Sequence, residues 1–246
     1  MNTEQWKTAA IGGVIGAGLS LAIVFGAGAL GLSPGAGDAK IHAYLMAHPK
    51  IVFEMVAKAQ AQQADEETHQ RQAAVDKLGL KAFFDPKIAF VTGPVGAKNS
   101  VVEFFDYNCV HCRNSFAAVK KFYDAHKNDT RFAFIELPIN GPASTDAARA
   151  AVAARKQGNK YVALHFLLMG ENAAIDNDLL LQDARKAGLD IAKLSSDLAS
   201  PDVDLALAAG HKLAEESQVG GTPAFLFNGK VHDGEVTDAD FKPLTK

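Results

Sequence analysis

The sequence predicts an α/β protein with a helical N-terminal extension, and three observations carry that expectation. Strand-like and helix-like runs follow one another as β-β-α-β between about residues 87 and 137, a mostly helical stretch covers about 144–216, and a hairpin signal closes the chain around Asn228-Gly229. With 246 residues and 48% hydrophobic content, there is room for one catalytic domain plus appendages. The net charge of −3 and the absence of a Lys/Arg block give no drive toward nucleic acid.

Element by element, residues 1–37 read as a membrane anchor or signal segment with its linker. Thr8 to Leu32 is uncharged and apolar; as a helix it would reach roughly 37 Å, against about 30 Å of bilayer hydrocarbon. The length favours an uncleaved anchor, and the small residues Ala27-Gly28-Ala29 leave a cleaved secretory signal as the alternative. Ser33 to Asp38 is turn-forming. Residues 38–86 read as a helical region, broken once at His48-Pro49, in which Ile51, Val52, Met55, Val56 and Ala59 draw an apolar stripe that fades into the polar segment Gln60–Lys77. That polar segment is either a solvated helix on the domain or a stalk whose apolar tip meets a copy of itself.

Residues 87–246 read as the catalytic domain. Lys87–Thr92 and Ser100–Asp106 are strand-like, separated by the turn signal Gly93-Pro94-Val95-Gly96; Phe116–His126 continues a helix, and Arg131–Leu137 is a buried strand stopped by Pro138. The helical insertion at about 144–216 is cut by Gly158, Gly170, Gly188 and Pro201. Ala224–Phe227 and Lys230–His232 flank Asn-Gly, the pair that best fits a two-residue hairpin turn, and a short helix is expected after Thr237.

The only two cysteines form Cys109-Val110-His111-Cys112, at the point where a strand gives way to a helix. A helix start places the Cys109 sulfur at the positive end of the helix dipole, where His111 can add charge, so Cys109 is expected as the exposed nucleophilic thiolate and Cys112, one turn deeper, as the resolving thiol. The competing uses of such a pair are weaker. A structural zinc site needs four ligands and no second pair exists; c-type haem needs His after the second cysteine, where Arg113 stands; a purely structural disulfide would close too small a loop to constrain the unfolded chain much. No metal and no cofactor is called for. Gly220-Gly221-Thr222-Pro223 precedes the last hairpin, and the Thr222-Pro223 bond at the start of a strand can be cis, turning the Thr222 backbone toward an incoming peptide. His42, His48, His69, His126, His165, His211 and His232 read as ordinary surface or core residues.

Together these pieces resemble the DsbA-like branch of the thioredoxin superfamily, and Glu103 to Cys112 with the segment Ile41–Phe90 is most similar to the ScsC (suppressor of copper sensitivity C) group. The resemblance covers about residues 38–246. It implies a thioredoxin fold with a helical insertion, Cys109 and Cys112 as the active dithiol, Pro223 as the cis proline preceded by Thr222, and Glu103 as the acid beneath the site, relaying the proton of the resolving thiol. A solvent-facing Glu103 on an alternating strand is the alternative. The resemblance further implies a periplasmic disulfide enzyme, an isomerase where the 38–86 region forms a dimer or trimer. Val110 stands where DsbA has Pro, so no oxidising power is inferred.

The expectation is therefore an exported thiol-disulfide oxidoreductase, most simply an oligomeric protein disulfide isomerase, on the periplasmic face of the inner membrane or soluble in the periplasm if the leader is cleaved. Its partners would be client proteins with cysteines or disulfides and a membrane redox partner. The alternatives are a monomeric DsbA-like oxidase and, in another class, a copper-binding or copper-buffering protein using soft sulfur ligands.

Overall fold

The computed structural model describes residues 36–245; the run Thr8–Leu32, with the anchor or signal expected there, lies outside the described residues. Among the described residues no helix is long and apolar enough to cross a membrane. Two compact units meet at Gln63/Ala64. The boundary read from the sequence, 86/87, falls further along the chain.

In the first unit, helix α1 (Ala36–Ala47) and the start of helix α2 (Lys50–Leu78) are interrupted at His48-Pro49. Pro49 has no N–H to donate, which suits the position just before a helix. Gly37 and Asp38, expected in a turn, already belong to α1, where the Asp38 carboxylate sits favourably in the first turn.

The second unit holds a sheet of five strands, β1 (Phe90–Thr92), β2 (Asn99–Phe105), β3 (Thr130–Glu136), β4 (Ala224–Phe227) and β5 (Lys230–Asp233), in the order β1-β3-β2-β4-β5. The central pair β2/β3 is parallel and the other pairs are antiparallel. Strand β1 is shorter than expected, because the Asp85 side chain accepts from Lys87 N at 2.9 Å and folds the residues before Phe90 into a turn. The turn after β1 requires glycine: at Gly93 φ is 83°, and a Cβ there would lie 2.0 Å from the Thr130 carbonyl oxygen. Asn228 and Gly229, with φ of 51° and 81°, make the tight β4/β5 turn expected of Asn-Gly.

Because side chains alternate along a strand, the sheet feeds two cores. Val101, Phe105, Phe132, Phe134 and Phe225 face one, with helix α3 (Val110–His126) and the insertion helices α4 (Pro142–Ala154) and α5 (Lys160–Gly170). Val102, Phe104, Ala133, Ile135 and Leu226 face the other, with Val75 of α2, Phe83 of the 3-10 turn Leu80–Phe84, and Leu213 of helix α8 (Pro201–Glu216). The insertion is completed by α6 (Asn177–Lys186) and α7 (Ile191–Leu198), capped by Asp176 and Asp190, whose side chains accept from Leu179 N and Lys193 N. Burial on both faces explains why β2 and β3 read as mostly apolar runs without strict alternation. The last turns of α2 serve this unit too: Arg71 donates from Nε to Gln218 O at 2.8 Å and pairs with Asp233, and Gln72 donates to Gly229 O and accepts from Val231 N. A short helix α9 (Asp238–Phe241) follows Thr237, closed by a reciprocal capping box with Asp240.

Candidate active site

Strand β2 ends at Phe105, and Asp106 converts that strand end into a helix start. Its buried carboxylate accepts from Asn108 N at 2.7 Å, Ile139 N at 2.7 Å, and Asn140 N and Nδ2, both at 2.9 Å. Asn108 Oδ1 in turn accepts from Ile175 N at 2.8 Å and from Arg113 Nη2 at 3.1 Å, which ties the insertion to the turn. These bonds leave Cys109 as the N-cap of α3, in extended geometry, next to the N–H groups of the first turn that have no partner within the helix.

Both cysteines are free and lie in the core on the α3 side of the sheet. Cys109 keeps 7% of its surface accessible and Cys112 none. The nucleophile expected to be exposed is therefore nearly covered, though it remains the more accessible of the two. Cys109 Sγ donates to Thr222 O at 3.2 Å across from the cis Thr222-Pro223 bond. The Cys109 thiol is lowered to about 5, first because the Cys112 thiol donates to the anion, then through the Thr222 side chain and the backbone N–H groups of Cys112 and His111, all against the opposing effect of burial. Cys112 is driven far above the ordinary thiol range, chiefly by burial and by the bond that it gives to Cys109. Two sulfurs one helical turn apart are thus opposite in acidity.

Glu103 is 1% exposed and faces the α3 side, between Phe134 of β3 and Phe225 of β4. Burial raises it to about 8, and its charge opposes ionisation of Cys112. The buried, not the solvent-facing, alternative holds for this residue. His111 departs from the simplest expectation. Its side chain is 63% exposed, and Nδ1 lies 2.6 Å from Glu235 Oε1, which raises the imidazole more than Cys109 does; its backbone N–H adds a smaller share to the stabilisation of the Cys109 anion. Glu235 and Asp106 both escaped sequence reading. Asp-x-Asn at a strand end is a turn signal that could have exposed Asp106, whereas Glu235 comes from 124 residues further along. Among the described residues no group of three or more His, Cys, Asp or Glu could hold a metal ion.

Residues 85–246 match the family model for thioredoxin, and residues 38–66 match that of the copper resistance protein ScsC N-terminal domain. A thioredoxin-like oxidoreductase from Silicibacter pomeroyi is 38% identical, with a TM-score of 0.62 over 68% of this chain and 95% of that one. A linker-deletion mutant of Proteus mirabilis ScsC shares the fold at 20% identity, with a TM-score of 0.64 over 87% of this chain and 96% of that one. A periplasmic thioredoxin-like protein from Salmonella enterica serovar Typhimurium is 25% identical, with a TM-score of 0.55 over 66% of this chain and 91% of that one. Among curated proteins, the Na(+)/H(+) antiporter NhaA 3 of Salinispora tropica is 31% identical over 159 residues, 64% of this chain; the chain spans about a quarter of that relative, 24%.

Proposed function

This chain belongs to the thioredoxin family, and from that premise we propose that it is an exported thiol-disulfide oxidoreductase acting as an oligomeric disulfide isomerase on client proteins. The observation that carries the reading is the unequal acidity of the two thiols, Cys109 lowered to about 5 and Cys112 raised far above the ordinary range. At neutral pH Cys109 is a thiolate and Cys112 a proton-bearing reserve.

The thiolate attacks one sulfur of a client disulfide; the client's S–S bond breaks, its other sulfur leaves as a thiolate, and a Cys109–client disulfide forms. A different client thiolate then displaces Cys109, so the client's disulfide has moved and no electrons have been gained or lost. When no client thiol arrives, Cys112 loses its proton and attacks Cys109, releasing the client reduced and leaving Cys109–Cys112 oxidised, to be reset by a membrane redox partner. Glu103, whose charge opposes ionisation of Cys112, is raised to about 8 and so exchanges its own proton close to neutral pH, as a relay for the Cys112 proton requires. Thr222, preceding cis-Pro223, offers its backbone to the bound client segment, and Val110, next to Cys109 in the chain, keeps an exposed side chain.

Support for oligomerisation comes from the first unit. Ile41, Tyr44, Met46, Val52, Phe53, Met55 and Val56 are exposed there, from 46% at Val52 to 75% at Phe53. A cluster of this kind calls for cover, and a second copy of the same segment supplies it. The Salmonella relative described as periplasmic supports a periplasmic location, and Thr8–Leu32 would tether the protein there. Cys112→Ser should accumulate mixed disulfides with clients, and recovery of activity from scrambled, more than from reduced, substrate protein should mark isomerase over oxidase. An empty trap would overturn the enzyme reading; preference for reduced substrate would favour the DsbA-like oxidase.

A further inference from the structure

The loop after β5 is fastened to the first turn of the cysteine-bearing helix. His111 Nδ1 is 2.6 Å from Glu235 Oε1, Asn114 Nδ2 donates to the same oxygen at 2.8 Å, and Ser115 Oγ accepts from Val236 N at 3.0 Å while donating to His111 O at 3.0 Å. The imidazole therefore bonds to a carboxylate, while the neighbouring Cys109 Sγ bonds to Thr222 O. Gly234 N donates to Pro223 O at 3.1 Å, so one short loop touches both the helix start and the cis-proline segment.

We propose that Glu235 is a positioning residue that holds the His111 imidazole and neutralises its charge, so that the Cys109 thiolate is stabilised by helix N–H groups, Cys112 and Thr222 rather than by an imidazolium. An ion pair presents little net charge to a third group, whereas an unpaired cation beside a thiolate favours it strongly. Favouring the thiolate favours the dithiol over the disulfide, which makes the couple more oxidising. Glu235 thereby holds the couple toward the reducing side, so that the dithiol gives its electrons more readily to a client disulfide. This inference rests on the oxidoreductase reading for its consequence, though not for its electrostatics.

The test is a double-mutant cycle in the full chain: wild type, E235Q, H111A and E235Q/H111A. The Cys109 thiolate is followed by ultraviolet absorbance against pH, and the equilibrium protein disulfide + 2 glutathione ⇌ protein dithiol + glutathione disulfide is measured for each. E235Q should move the thiolate midpoint down by about half a pH unit, equivalent to roughly a threefold change, and displace the glutathione equilibrium toward dithiol by a similar factor. H111A should shift both less than E235Q does, and the double variant should lose the E235Q shift, since no cation remains to be released. A loop that is merely structural would give E235Q the same shift with or without His111, and that result overturns the proposal, as does an unmoved or raised midpoint in E235Q. If the titrations behave as expected but no variant, wild type included, equilibrates with glutathione, the redox consequence is overturned and the oxidoreductase reading falls, while the electrostatic role stands.

Discussion

At the residue scale, the acidity of Cys109 should be separable into its causes. Its midpoint is expected near 5 in the reduced protein. Cys112→Ala, which removes the largest stabilising partner, should raise that midpoint by about one pH unit or more in the same absorbance titration. The depressed value also links to stability. A group whose folded value lies below its unfolded one stabilises most above the unfolded value, so the benefit from Cys109 is full above about 9 and is lost as pH falls toward 5. Glu103 has the opposite sign. Its value is raised from 4.5 to about 8, so the neutral carboxyl is tolerated at low pH and the cost of ionising it grows as pH rises through that window. Glu103→Gln should therefore leave thermal stability nearly unchanged at pH 4 and raise it at pH 8, by up to about 4 kcal/mol. Equal gains at both pH values would contradict the buried, unpaired carboxylate.

At the element scale, the strands and the dicysteine helix are largely local products of the sequence. Apolar runs, interrupted in β2 by Glu103 alone, made β2 and β3 recognisable, and Asn-Gly fixed the β4/β5 turn through two residues that tolerate positive φ. The start of β1 was misplaced because one Asp85 side-chain bond turns the chain. Helix α2 shows where pattern alone fails: a single polar helix is bare over most of its length, yet at its end Val75 enters a core and Arg71 joins Gln218 to Asp233. Arg71→Ala should lower stability by about 1 kcal/mol, measured by denaturant unfolding, because it strips a solvent-screened carboxylate and a carbonyl of their partner.

At the scale of the whole molecule, the contacts of α2 decide where the chain can be cut. Deleting residues 38–63 should leave a folded unit that still exchanges disulfides but, if the exposed apolar segment joins copies, elutes as a monomer and loses isomerisation. Deleting 38–78 removes Val75 and Arg71 as well and should destabilise the remainder, which thermal unfolding of the two truncations would distinguish. Equal size with and without 38–63 would end the oligomeric reading.

The sequence by itself determined the order of strands and helices, the cis-capable Thr222-Pro223 and the placing of Cys109 at a helix start, because each depends on residues close together in the chain. Only the tertiary structure decided that Glu103 is buried, that Glu235 captures His111, and that the end of α2 belongs with the sheet. Those outcomes depend on which distant surfaces exclude water and which charges then meet, and neither periodicity nor spacing encodes that.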